Sequence, residues 1–236
     1  MSGYIGNAPT AVPLTSADIT DGIITSAKIA DGTIVNADIN ASAAIDASKL
    51  SGVTSDFVLL ATTTASSSAS ISFDGYFSAT YKNYQVILSD VFPASSSGFL
   101  RIRLRKSNAD ITSANYQYGG GGQYQHDGIG SGFAYYGSGG NDTFIRTMSE
   151  TGTVSTSNYP YNQKVHIYNP LATNTYKMIT QEIGLFKKAD EASQYIITIV
   201  GGSGILNNNT NALSGITFLM STGNIASGTF KLYGIK

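Results

Sequence analysis

Residues 99–105 read Phe-Leu-Arg-Ile-Arg-Leu-Arg. Leu100, Ile102 and Leu104 alternate with Arg101, Arg103 and Arg105. An extended backbone throws successive side chains to opposite sides, so the aliphatics fall on one face and the guanidinium groups on the other. A helix would scatter both sets around its axis, and the stretch is read as a strand with its Leu/Ile face inside. Similar short runs flank it between Gly, Ser and Asn clusters: FVLLAT (57–62), SISF (70–73), YQVILSDV (84–91), GFAYY (132–136), KVHIYN (164–169), YKMITQEIGLF (176–186), YIITIV (195–200), ITFLM (216–220) and TFKLYGI (229–235). With no convincing helix longer than two turns, these runs predict a mainly β chain. Its residues 57–236 are expected to form an antiparallel, jelly-roll-like β-sandwich. In the last run Phe230 and Leu232 alternate with Lys231 and Tyr233, which predicts that the chain finishes in a sheet strand.

Upstream of residue 57 the composition changes. Residues 1–56 hold six Asp, two Lys, one Tyr and no Phe, so all ten Phe and fourteen of the fifteen Tyr lie beyond them. Four segments repeat: LTSADI (14–19), ITSAKI (24–29), IVNADI (34–39) and IDASKL (45–50), joined by TDGI, ADGT and a longer NASAA connector. Leu14, Ile19, Ile24, Ile29, Ile34 and Ile39 recur every five residues, followed by Ile45 and Leu50. That spacing fits neither a helix nor strict alternation. Each repeat also carries too little apolar surface to offset ordering ten residues at roughly 1 to 2 kcal/mol each. A parallel homotrimer fits the array best, with aliphatic rungs stacked along a common axis and Asp18, Lys28, Asp38 and Lys49 facing water or bridging chains. The alternative is a flexible Ala/Ser/Thr/Asp linker, which needs composition but not regular spacing. The expected organisation is a peptide over 1–13, a repeat stem over 14–56 and the β-domain over 57–236.

The whole chain has 236 residues, 14 Lys+Arg against 15 Asp+Glu, and no Cys. A net charge of −1 offers no long-range field for a polyanion, so no nucleic-acid partner is expected. Absence of Cys removes disulfides, Cys-ligated zinc and thiol catalysis. No apolar run approaches the roughly 18 to 20 residues that cross a bilayer, and the opening MSGYIGNAPTAVPL lacks the pattern of a secretion signal, so no membrane insertion is expected.

This layout resembles the tail fibres and related appendage proteins of tailed bacteriophages. Tyr4-Ile5-Gly6-Asn7-Ala8-Pro9 is similar to the N-terminal peptide of many phage virion proteins, and residues 24–34, ITSAKIADGTI, resemble the repeats of fibre shafts. Tyr81-Lys82-Asn83-Tyr84 and Phe230-Lys231-Leu232-Tyr233-Gly234-Ile235 are similar to the C-terminal domains of such proteins. The resemblance implies a homotrimer made in the host cytoplasm and located in the virion, on its tail or another surface appendage. It further implies docking on a tail, baseplate or capsid protein through a peptide that includes Tyr4, Ile5 and Pro9. The distal β-domain would bind host cell-surface polysaccharide. The stem spans about 37 residues, no more than roughly 120 Å even if fully extended, so a short fibre or head spike fits as well as a long tail fibre. Other readings are a head fibre, capsid decoration or baseplate protein without receptor binding, a polysaccharide depolymerase, and a cellular lectin or surface-layer module.

Residues 115–142, NYQYGGGGQYQHDGIGSGFAYYGSGGND, read as a Gly-rich loop. Aromatic rings cover the C–H faces of sugars, amides and carboxylates bond their hydroxyls, and Gly permits close approach. Tyr116, Tyr118, Gln123, Tyr124, His126, Asp127, Tyr135 and Tyr136 are therefore candidate glycan contacts, unless the tyrosines merely anchor the loop. Arg101 and Arg103, with Arg105 and Lys106, are candidates for anionic lipopolysaccharide or capsule, unless the row is paired with acids on neighbouring strands. Catalysis is not expected. His126 and His166 stand forty residues apart, and His166 falls inside a predicted strand. No spacing pairs any two of Glu150, Glu182, Glu191, Asp110, Asp127 and Asp142 for glycoside cleavage. Gly119–Gly122 lacks the Lys-Ser/Thr of a phosphate loop, and neither metal nor cofactor is called for.

Overall fold

The computed structural model describes residues 15–40, 42–46, 49, 55–96, 98–126, 130–137, 140–147, 160–190, 193–207 and 210–236, with backbone alone for 36, 123–126, 130, 131, 134–136, 185–190 and 193–200. The chain divides into two units, Met1–Thr54 and Ser55–Lys236.

In the first unit every ten-residue repeat is a pair of local turns. Ser16–Asp18, Ser26–Lys28 and Asn36–Asp38 are single 3-10 turns. At the first, the Thr15 backbone N–H and hydroxyl donate to Asp18 Oδ2 at 2.8 and 2.7 Å, which holds the carboxyl below its ordinary value of 3.8. The Val35 N–H makes the same bond to Asp38 at 3.0 Å. Lys28 occupies the equivalent place in the second repeat, where the turn closes by Lys28 N–H to Thr25 carbonyl at 2.8 Å. Between the 3-10 turns, Ile23 and Thr33 donate back to Thr20 and Ala30 at 3.2 and 3.1 Å. Gly22 and Gly32 sit at φ +76° and +78°, a left-handed conformation that explains the Asp-Gly pairs. These bonds span three residues and bury nothing: every side chain described between 15 and 46 is exposed.

Among its described residues the second unit has thirteen antiparallel strands in two sheets. Eight form one sheet in the order β1-β13-β3-β9-β10-β11-β6-β7: β1 (Phe57–Ser68), β3 (Asn83–Pro93), β6 (Tyr116–His126), β7 (Gly130–Gly137), β9 (Tyr161–Tyr168), β10 (Lys177–Asp190), β11 (Ser193–Leu206) and β13 (Ile225–Ile235). The other holds β2 (Ser70–Asp74), β12 (Gly215–Met220), β4 (Leu100–Lys106) and β5 (Ala109–Asp110) in that order, with β8 (Ile145–Arg146) also paired to β4. The eight-to-five division departs from the eight strands of a jelly roll.

Inner faces of both sheets feed one core. Leu100, Ile102 and Leu104 are fully buried, as the alternation in 99–105 requires, together with Phe218, Tyr84, Val86, Val165, Phe230 and Leu232. Phe218 of the small sheet meets Phe230 of the large one at 5.4 Å between ring centres. Buried tyrosines carry hydrogen bonds across the layers. Tyr116 on β6 accepts the Leu104 N–H at 2.9 Å and donates to the Ile111 carbonyl at 3.0 Å. Tyr161 donates to the Gly98 carbonyl at 3.2 Å.

Residues 115–142 are not a single loop. β6 pairs with β7 from Gly119–Gly137 to His126–Gly130 and with β11 on its other side. Sheet hydrogen bonds are made by backbone, so a run of Gly can enter a ladder when neighbouring strands supply partners, and Gly120 and Gly121 here face Gly202 and Gly201. Thr62–Ser68 also extends β1 well past its apolar start.

Candidate functional site

Alternation along β6 sends Tyr116 and Tyr118 inward and Gln117 outward. Tyr116 is fully buried and Tyr118 is 8% exposed. Burial pushes the Tyr116 hydroxyl well above the usual tyrosine range. Both rings therefore belong to the core, out of reach of a sugar on this chain's surface, and their expected place among the glycan contacts is corrected. Strand periodicity carried that signal, but the four glycines that follow masked it. Gln123, Tyr124 and His126 lie on β6 and Tyr135 and Tyr136 on β7, where only backbone is described. Asp127 lies outside the described residues, as do Tyr4, Ile5, Pro9, Leu14, Leu50, Glu150 and Glu191.

Arg101, Arg103 and Arg105 occupy the outer face of the small sheet, where strand pairing brings acids from elsewhere in the chain. Arg105 is the hub. Its guanidinium binds Asp110 through Nη1 and approaches Asp74 Oδ2 at 2.5 Å through Nε. It also donates to Thr217 Oγ1 at 2.9 Å, and Thr217 in turn donates to Asp110 at 2.7 Å. Arg103 lies 3.9 Å from the other Asp110 oxygen and donates to the Thr143 carbonyl at 3.1 Å. Asp74 and Asp110 thus converge on a guanidinium. Arg101 instead stacks between Phe99 and Phe144, its guanidinium carbon 4.9 and 4.0 Å from the ring centres, and Arg146 lies 4.6 Å from Phe99 on the same face. The contributions of Phe144 and Asp74 were not legible in sequence, because they come from segments far along the chain from β4.

The outer face of the large sheet presents a different surface. A groove of about 410 Å³ is lined by Ile87, Ser89, Asn162, Lys164, Glu182 and Gly184. Lys164 bridges Glu182 at 3.5 Å, both well exposed. Next to it Gln85, His166, Tyr168 and Thr180 frame a smaller hollow of about 120 Å³. The His166 and Tyr168 rings lie 4.4 Å apart, and the Tyr168 and Thr180 hydroxyls share a hydrogen bond of 3.1 Å. Partial burial lowers the His166 pKa below the ordinary 6.5. An aromatic pair beside a hydroxyl, amides and one ion pair suits the C–H faces and hydroxyls of a saccharide. Among the described residues no group of three or more His, Cys, Asp or Glu converges as a metal site, and no helix is long and apolar enough to cross a membrane. Compared with known proteins, the chain matches no family model, no curated protein and no solved structure.

Proposed function

We propose that the protein is a trimeric, non-enzymatic bacteriophage appendage of the tail-fibre kind. It docks on the virion through residues 1–13, spaces its β-domain by the repeat stem and meets host cell-surface polysaccharide with that domain. The observation that carries this reading is the stem. Ile19, Ile24, Ile29, Ile34, Ile39 and Ile45 are 39 to 56% exposed on the single chain, although each belongs to a regular array whose turns are hydrogen-bonded. Aliphatic side chains at fixed spacing and left in water mark a surface meant for other copies. Three parallel chains bury them on one axis, a closed cyclic arrangement.

Light scattering on the purified full chain tests this: the expected mass is that of three chains, and a stable monomer overturns it. An Ile24→Ser/Ile34→Ser double variant should fall to the mass of one chain while the β-domain stays folded by circular dichroism.

The polysaccharide part rests on the groove of the large sheet beside the Lys164–Glu182 pair. A second reading, a head fibre or decoration protein without receptor binding, draws support from the burial of Tyr116 and Tyr118 and the pairing of Arg103 and Arg105 with acids, which together remove four of the best sequence candidates. Binding of the full chain to host lipopolysaccharide or capsule separates the two.

A further inference from the structure

The outer face of the large sheet changes character along its strands. In one cross-strand row, Phe57 pairs with Ile235, Ile235 with Asn83 and Asn83 with Tyr168. Met178 flanks the next paired position and faces Ile205. The adjacent row runs Leu59, Tyr233, Gln85, His166, Thr180 and Ser203. Neither row holds a Lys, Arg, Asp or Glu. Charge begins only in the third, where Lys231, Ile87, Lys164 and Glu182 are in register. Phe57, Leu59, Tyr168 and Met178 are 41, 51, 38 and 44% exposed, and Phe57 stacks on Tyr233 at 4.3 Å.

We infer that these two uncharged rows are the surface through which the β-domains of neighbouring copies pack on one another. Six strands at about 4.8 Å spacing make a band roughly 24 Å wide, and two rows give it a few hundred Å². That is the size of the largest apolar patch on an ordinary monomer, and well short of the roughly 800 Å² per partner of a stable free-standing interface. Such a surface suits copies already held together. The band begins at Phe57, the first residue of β1, and the chain from the stem enters the domain immediately before it. Six residues separate Leu50 from Phe57, at most roughly 24 Å of extended chain. Bundled stems therefore keep the three bands at a local concentration on the order of millimolar, where a weak apolar contact closes. This inference rests on the trimeric stem proposed above. It covers the hollow at His166 and Tyr168 and leaves open to solvent the Lys164–Glu182 groove, which begins in the next row.

Absence of cysteine allows a clean test in the full chain. Met178→Cys and, separately, Leu59→Cys report from the band, and Thr112→Cys, at an exposed loop position, serves as the reference. Labelling by a maleimide dye at equal protein concentration is expected to be at least about tenfold slower at 178 and at 59 than at 112. It should rise to the reference rate when Ile24→Ser/Ile34→Ser is added. Labelling as fast as the reference in protein with the mass of three chains overturns the interface and leaves the trimer standing. Slow labelling that persists in the monomeric double variant also overturns it, because the chain's own surroundings then protect the thiol. A wild-type monomer removes both readings. Protection that appears only on adding lipopolysaccharide assigns the band to a saccharide instead.

Discussion

The stem and the β-domain handle aliphatic side chains in opposite ways. In the domain such residues alternate with a period of two, and one chain is enough to bury them: Leu100, Ile102 and Leu104 reach zero exposure against residues of the opposite sheet. In the stem they recur every five residues, and one chain leaves Ile24 56% exposed. Local bonding does not account for the difference, since the stem turns are hydrogen-bonded through Asp18 and Asp38. What separates the two regions is whether a partner exists within the chain. An antiparallel ladder brings distant segments together, as the pairing of Phe57 with Ile235 shows, whereas a succession of turns closing over three residues brings together nothing but itself. On the reading proposed above, the stem's partner is another copy.

The sharpest way to break that contrast is to damage each region by a similar amount of apolar surface. Phe218→Ala removes a fully buried ring that spans the two sheets and is expected to cost about 3 to 5 kcal/mol of domain stability, read from the urea midpoint. Ile24→Ser/Ile34→Ser should leave that midpoint nearly unchanged at a fixed low protein concentration while removing the trimer. A double variant that melts the domain as severely as Phe218→Ala would show that the two regions are not separate in energy.

A second, smaller effect concerns the arginine face. Arg105→Met leaves Asp74 and Asp110 without the guanidinium they share. With the three groups only partly buried, the expected loss is about 1 to 3 kcal/mol by urea denaturation. Adding Asp110→Asn should recover part of it, because an amide needs no counter-charge. A loss within error of zero would return the row to the solvated strand face that alternation alone suggests.

The arginine row also shows how far the sequence could be read. Alternation over 99–105 assigned the inner and outer faces of β4, because a single strand carries that signal within itself. Asp74 as partner could not be found the same way. It reaches β4 across β12, through pairings of Asp74 with Gly215 and Gly215 with Arg105, and such register belongs to the whole sheet. β6 was hidden for a different reason: strand signals are side-chain signals, and Gly119–Gly122 has none, yet its backbone pairs on both sides. The two-residue strands β5 and β8 are too short to carry any period. In the stem the Asp-Gly pairs made the turns at Gly22 and Gly32 legible, whereas the Thr15–Asp18 bond was not.

The smallest effect expected is a pH dependence that links the two regions. Partial burial favours the neutral imidazole of His166, so its folded pKa lies below the ordinary 6.5. Between those values the unfolded chain binds more protons than the folded one, and stability must fall as pH drops through 6.5 toward the folded value. Lys164, Glu182 and Lys231 occupy the neighbouring row. Of these, the two lysines disfavour a further positive charge and the carboxylate offsets them, while Tyr168 packs beside the ring. At fixed protein concentration, the thermal midpoint of the wild type should decrease more between pH 7.5 and 5.5 than that of His166→Gln; carboxylates common to both chains cancel in the difference. If neighbouring copies cover the row that holds His166, packing deepens the desolvation, and the wild-type difference should shrink when Ile24→Ser/Ile34→Ser releases the copies. An unchanged difference would mean that the stem gathers the domains without bringing this face of one against another.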